Sequence, residues 1–308
     1  MKDKIWDVVI IGSGPAGLTA GIYAVRGAAT TVILGGETWG GQLMLTSVVD
    51  NYPGFSDGII GPSLMENMKK QALRFGAEFI PKNVTEVDFS KIPFKLATSD
   101  SVFLAKTVII ATGAETKWLG VPGEKEFIGR GISSCAPCDA PFFKEKDVLV
   151  VGGGDSAMEE ALVLAKFASK VTLIHRRSEF KASKAMQEKV FANKKINVIW
   201  NTEILEVIGS TKFEGLKVKN ITSSEVSEIK ADGMFVAIGH TPSSEIFKGK
   251  IELDEKGYIK VHSGTKTNIP GVFVSGDVHD FTYKQAVTAA GFGCQAALDT
   301  LNYLVDKN

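Results

Sequence analysis

Two cysteines separated by two residues, Cys135-Ala136-Pro137-Cys138, are the side chains of this 308-residue sequence best suited to covalent chemistry. That spacing brings both sulfurs within bonding reach, and a helix starting there would let its dipole stabilise a thiolate. Thiolate is the attacking species in thiol–disulfide exchange, so the pair predicts redox chemistry. The competing use is half of a zinc site. Zinc needs two further ligands, and the chain offers only Cys294 and His175, His240, His262 and His279, with no second close pair. No metal is therefore expected, and Cys294 reads as a buried residue of a helical core. Asp139 comes directly after the pair. Its carboxyl group either carries the proton that thiol–disulfide chemistry requires or is a solvated helix cap.

Two Gly-rich turns supply the second chemical signal. Gly12-Ser13-Gly14-Pro15-Ala16-Gly17 and Gly152-Gly153-Gly154-Asp155-Ser156-Ala157 each follow an apolar strand and open a helical stretch. In such a turn the first glycine permits the tight bend and the second lets the backbone approach a pyrophosphate; the third position, where Ala is allowed, lets helix and strand pack closely. The phosphates then meet the free N–H groups of a helix N-terminus. The residues just past the next strand distinguish the two turns. After the second turn's strand come His175-Arg176-Arg177 and then Lys181. Cations here match a 2′-phosphate, since Arg presents a charged fork to phosphate oxygens, and they predict NADPH; the alternative is a solvated basic patch. After the first turn's strand come Gly35-Gly36-Glu37. An acid near this point suits a ribose hydroxyl without a 2′-phosphate and predicts FAD, although Glu37 lies a little late for that contact.

The elements that must hold these residues form two copies of a βαβ unit. Strands Asp7 to Ile11 and Thr31 to Leu34 flank a helix running to about Gly27. Strands Asp147 to Val151 and Val171 to Ile174 flank one running to about Ser169. The copies start 140 residues apart, too far for a solenoid repeat. The fold class expected is α/β, with two Rossmann-like dinucleotide-binding domains. Further strands ending in glycine, Val108 to Gly113, Met234 to Gly239 and Val272 to Gly276, place the second domain as an insertion. Residues 1–114 and 245–308 are expected to form the FAD domain, and 115–244 the NADPH domain carrying the cysteines. Thiols and nicotinamide then share one domain and cannot both occupy the flavin face. Two chain crossings give a narrow neck, and rotation about it would present each in turn.

Composition excludes several partners. Apolar residues make up 44% and charged residues 23%, ordinary for a globular protein. The 35 basic and 35 acidic residues balance with no basic tract, so neither nucleic acid nor an anionic membrane is an expected partner. Met1-Lys2-Asp3-Lys4 leads into an apolar strand without the apolar core of a signal peptide, and no run reaches the ~18 residues of a membrane span, which predicts a cytoplasmic protein.

Together these segments resemble the low-molecular-weight thioredoxin reductases over essentially the whole chain. Beyond the turns and the cysteine pair, the matches are Gly40-Gly41-Gln42-Leu43, Asn51-Tyr52-Pro53-Gly54, Ala111-Thr112-Gly113, and Gly276-Asp277 through Tyr283-Lys284-Gln285-Ala286. The resemblance implies that Cys138 is the flavin-facing thiol and Cys135 the one that attacks thioredoxin. It implies that residues 35–42, Asn51 and 277–286 line FAD, with Ala111, Thr112, Gly113 and Gly276 counted to the same site, and that the protein is a homodimer. Asp277 can hydrogen-bond a ribityl chain, and a helix starting near Gln285 would aim N–H groups at the flavin edge that gains charge on reduction. The sequence departs from the family at Pro137, where Thr is usual, at Ala140-Pro141, where Gly-Phe is usual, and at Lys181 and Lys284, where Arg is usual. Lys keeps the charge there but loses the bidentate fork. Phe142 and Phe143 are expected to form an exposed apolar patch for a partner. The rivals are a reductase of another thiol partner, a flavin-dependent ferredoxin–NADP reductase, which lacks the thiol pair, and a non-catalytic redox sensor.

Overall fold

The strands that carry the Gly-rich turns are apolar along their whole length, and a strand of that kind needs cover on both faces. Val8, Val9 and Ile10 have no exposure, and neither do Val150 and Leu173. This is the pattern of a parallel sheet packed between helices. The computed structural model describes residues 4–307; Met1–Asp3 and Asn308 lie outside the described residues, as does the leader-segment expectation drawn from the N-terminus.

In chain order the positioning elements are β1 (Ile5–Ile11), α1 (Pro15–Arg26), β2 (Thr31–Leu34), β3 (Glu78–Ile80), β4 (Val102–Ile110), α2 (Ala136–Asp139) and β5 (Asp147–Gly152). They continue with α3 (Asp155–Leu164), β6 (Lys170–Ile174), β7 (Ile196–Ile199), β8 (Gly233–Ala237), β9 (Val272–Val274) and α4 (Ala286–Lys307). The chain folds as two units, Met1–Glu115 with Thr241–Asn308 and, inserted between them in sequence, Thr116–His240.

In the first unit the parallel order is β3-β2-β1-β4-β9. Strands Phe94–Ala97 and Glu86–Asp88 extend the sheet in antiparallel fashion from the first half of β4. Small residues bring α1 against α4. A Cβ on Gly293 would overlap the Ala16 carbonyl, so these helices touch backbone to backbone at that point. In the second unit the order is β7-β6-β5-β8, and Ile132–Ser133 adds to β8, all parallel. A separate antiparallel sheet, Thr202–Gly209, Phe213–Asn220 and Val226–Lys230, belongs to the same unit.

The fold is the expected α/β arrangement of two Rossmann-type units, one inserted in the other. Two local differences have physical causes. The helix after the second turn stops at Leu164, short of Ser169. The chain there bends back over β5's entry, where Phe167 O accepts from Glu145 N–H and Lys146 O accepts from Ser169 N–H. Cys294 lies on α4 but is only half-buried, beside the Tyr23 hydroxyl, which hydrogen-bonds its sulfur.

Candidate active site

Cys135 and Cys138 are joined as a disulfide, with Cα atoms 5.3 Å apart. α2 is one turn long and Cys135 is its N-cap. The turn's donors are already engaged. The Ala136 N–H donates to Glu160 Oε2 at 2.6 Å. Pro137 has no N–H, and those of Cys138 and Asp139 turn back to the Cys135 carbonyl at 3.2 and 3.1 Å. Dipolar stabilisation of a thiolate, expected from the cysteine spacing, is therefore not built here: four residues sum little dipole, and the leading N–H faces a carboxylate.

Asp139 is half-buried. Burial pushes its carboxyl above the usual carboxylate range, and a hydrogen bond with the Ser133 hydroxyl pulls it back part of the way. Ser133 Oγ also accepts the Cys135 N–H at 3.1 Å, so one hydroxyl ties the first cysteine to the acid. Asp139 makes no side-chain cap to the short turn beginning at Ala140. The solvated helix cap is therefore not what the structure shows for Asp139. The expected two-ring patch is half present. Phe142 is exposed, whereas Phe143 is buried edge-on against Phe235 at 5.2 Å and fills the space above Gly233.

At the second Gly-rich turn the glycines divide by what surrounds them. A Cβ on Gly152 would overlap the Ala237 carbonyl, and one on Gly153 the His175 ring; one on Gly154 would meet nothing within 4 Å. The middle position of the G-x-G-x-x-A pattern thus faces open space, as an approaching phosphate requires. His175 packs beneath the turn. Burial, with the nearby Arg177 and Arg176, pushes its pKa down, so the ring is neutral near pH 7 and the cationic character belongs to Arg176, Arg177 and Lys181. All three are exposed. Gly153 O accepts from the N–H groups of Lys181 and Ala182 at 2.8 and 3.2 Å. Asp155 Oδ1 accepts from the N–H and hydroxyl of Ser183 at 2.9 and 2.8 Å. These bonds bring the Lys181 segment to the turn, with Ser156 exposed beside it.

The first turn repeats the division. Gly12 has φ 109°, and a Cβ there would overlap the Ala111 carbonyl. Gly17 lies as close to the Gly12 carbonyl, whereas a Cβ on Gly14 would meet nothing within 4 Å. Ser13 Oγ donates to Gly35 O at 2.6 Å and accepts from Gly40 N–H at 3.0 Å, drawing the 35–42 loop to the turn. Gly36 and exposed Glu37 border Asn83, whose Oδ1 accepts the Glu37 N–H at 3.2 Å. Gly41 and Gln42 open a short helical turn there, with Gly14 Cα 3.4 Å from a Cβ position on Gly41. From the far end of the sequence, Gln285 Oε1 accepts the Asn51 side-chain amide at 3.2 Å. Gly276 rests against Ala16, and α4 begins at Ala286. Thr112 Oγ1 donates to Ser243 O at 2.7 Å, next to Gly113, whose Cβ position is open.

Asp277 is pushed up to about 6 by burial and then by the charge of Asp280, with Lys284 opposing. Two buried polar atoms nearby in sequence, Ser275 Oγ and His279 Nε2, have no hydrogen-bond partner. A bound group with hydroxyls fits this segment, because buried polar atoms left unpaired are costly. Ser13, Asn83, Ser133 and Glu160 were not legible as site residues. No motif marks Asn83, Ser133 or Glu160, and only the fold brings them to the glycines and the cysteines; Ser13 lies inside the first Gly-rich turn, but its link to Gly35 and Gly40 comes from the fold. Among the described residues no group of acidic, His and Cys side chains could hold a metal, and no helix is long and apolar enough to cross a membrane.

A disulfide carried on one of two dinucleotide-binding units defines a class: flavin- and nicotinamide-type disulfide oxidoreductases. Residues 6–293 match the pyridine nucleotide-disulphide oxidoreductase family. A thioredoxin reductase of Streptomyces coelicolor is 51% identical over 301 residues, covering 97% of this chain and 94% of its own. One from Rickettsia prowazekii is 50% identical, covering 96% and 97%. The solved thioredoxin reductase of Giardia duodenalis superposes with a TM-score of 0.94 at 41% identity, covering 98% of this chain and all of that one. The chain belongs to the pyridine nucleotide-disulphide oxidoreductase family and is an oxidoreductase.

Proposed function

We propose that this enzyme reduces the disulfide of a thioredoxin with electrons from NADPH, relayed through FAD. The observation that carries the reading is the Cys135–Cys138 disulfide on the same unit as an open Gly154 and three exposed cations. When bound, NADPH supplies a hydride and FAD accepts it, passing its two electrons on to a disulfide. Per turnover one NADPH and one proton are consumed, and one partner disulfide becomes a dithiol.

The residues divide the work. Gly154, Asp155 and Ser156 receive the pyrophosphate of NADPH, and Arg176, Arg177 and Lys181 its 2′-phosphate, with His175 as the packing floor of the turn. Gly12, Gly14, Pro15, Ala16 and Gly17 receive the pyrophosphate of FAD. Gly35, Gly36, Glu37, Gly41 and Gln42 flank its adenosine side; Asn51, Ala111, Thr112, Gly113, Gly276, Asp277, Lys284, Gln285 and Ala286 hold the remainder. The residues present fit both groups, since Gly14 and Gly154 leave space where side chains would block a phosphate.

In the half-reaction with the partner, the Cys135 thiolate attacks one sulfur of the partner disulfide. That S–S bond breaks, a mixed disulfide forms, and the second partner sulfur leaves as a thiolate that takes a proton from the Asp139 carboxyl. Cys138 then gives up its thiol proton and attacks Cys135 Sγ, re-forming the internal disulfide and releasing the partner sulfur that Cys135 had attacked as a thiolate, which takes up that proton. Nucleotide turn and thiols lie on one unit, so the flavin serves them alternately. Family resemblance also supports a cytoplasmic homodimer.

Steady-state oxidation of NADPH and of NADH, with a panel of thioredoxin-like acceptors, tests this reading. Turnover specific to NADPH and to a thioredoxin is expected. Flavin-dependent dye reduction without any thioredoxin reduction would reject the acceptor.

A further inference from the structure

Glu160 is not among the residues assigned above to nucleotide binding or to thiol exchange. It sits on α3, the ten-residue helix that begins at the Gly154 turn. From there its carboxylate takes the Ala136 N–H at 2.6 Å, a short, charge-assisted hydrogen bond to the residue next to Cys135. Ala136 itself is fully buried. The other backbone donors of the turn close on Cys135 O, so Glu160 supplies the bond that fixes this turn to the nucleotide-binding helix.

We propose that Glu160 is a positioning residue for the disulfide. It anchors the Cys135–Cys138 turn through Ala136 N–H and places a carboxylate there that disfavours the reduced, anionic form, making the dithiol a stronger reductant.

Reduction breaks the Cys135–Cys138 bond and adds two electrons and one proton, leaving one thiol and one thiolate. A thiolate in this turn finds no unengaged N–H donor, and it gains a negative neighbour at the N–H that a helix start would otherwise offer it. Both effects oppose the reduced form and lower the potential of the couple. The ionisable groups on α2 and on the elements packed against it are few. α2 carries Asp139, held by Ser133. α3 carries Asp155, held by Ser183, exposed Glu159, and Glu160. Residues 140–143 and Ile132–Ser133 carry none. Glu160 accepts the Ala136 N–H, between the two cysteines.

The inference rests on the disulfide-reductase reading, and the test keeps the two apart. Flavin-loaded enzyme is equilibrated with graded dithiothreitol buffers and quenched by alkylation. The fraction reduced is read by mass on the peptide holding Cys135 and Cys138, separate from Cys294. Glu160→Gln keeps an oxygen for the Ala136 N–H and removes the charge. Its equilibrium is expected to move about fivefold or more toward the dithiol. Agreement of E160Q with the wild type within about twofold would overturn the inference and leave Glu160 a structural residue only. Glu160→Ala, if it folds, is expected to shift in the same direction; a shift toward the disulfide would also overturn it. Exposure of the wild-type disulfide to NADPH in parallel samples tests the parent reading, which the dithiothreitol equilibrium does not need.

Discussion

The side-chain amide of Asn51 donates to Gln285 Oε1 at 3.2 Å, joining segments 234 positions apart at the start of α4. Both residues belong to the proposed FAD site, and the bond makes them one unit rather than two independent contacts. Asn51→Ala and Gln285→Ala are each expected to weaken FAD retention. The double variant should lose less than the sum, with a coupling of about 1 kcal/mol. Flavin fluorescence after graded dialysis measures it, and strict additivity would show that the bond does not act on the flavin.

Gly14 and Gly17, three positions apart, are expected to fail differently. Gly14 has φ −69°, which any residue adopts, and open space around its Cβ position. Gly14→Ala should leave the melting temperature of the flavin-free protein unchanged while abolishing tight FAD binding. Gly17→Ala forces a methyl into the Gly12 carbonyl and should cost the fold itself at least about 1–3 kcal/mol. Thermal melts with and without FAD distinguish the two.

Asp139 and Ser133 give a pH prediction with a definite sign. Burial holds the proton on Asp139 to higher pH than an ordinary carboxyl, and the Ser133 hydroxyl stabilises the carboxylate and opposes this. A proton donor is competent below its pKa, so thioredoxin reduction should fall as pH rises through the Asp139 value. Ser133→Ala removes the opposing bond and should move that falling limb to higher pH. Asp139→Asn should remove the limb and lower kcat by about 10²-fold. An unchanged limb in Ser133→Ala would contradict the assignment.

Arg176 and Arg177 are exposed, and neither lies under the Gly153 turn as His175 does. Replacing both by Gln should raise KM for NADPH by about 10- to 100-fold and leave KM for NADH within about twofold, because only NADPH carries the 2′-phosphate. Parallel loss with both nucleotides would indicate a general role for the patch.

The two Rossmann units and the redox cysteines were legible because each rests on a local rule. Apolar strands flanking Gly12–Gly17 and Gly152–Ala157 fix a βαβ unit within about 30 residues, and a CxxC needs only four. The order of the glycine-ended strands revealed the insertion. What escaped was long-range. Glu160 reaches Ala136 across 24 positions and Ser13 reaches Gly35 across 22, and no motif encodes either pairing. The thiolate-stabilising helix failed for a related reason: in a helix only one turn long, Glu160 takes the Ala136 N–H and Pro137 has no N–H to offer. Phe143 is buried rather than exposed because of Gly233, a residue 90 positions away whose missing side chain leaves room for the ring.

The central claim is that electrons from NADPH reach a thioredoxin through the Cys135–Cys138 disulfide. Steady-state NADPH oxidation by Cys138→Ser, compared with the wild type in the presence of oxidised thioredoxin and separately with a flavin-reducible dye, addresses it most directly. The account predicts that the variant loses thioredoxin reduction while dye reduction by NADPH persists. Undiminished thioredoxin reduction in Cys138→Ser would contradict it.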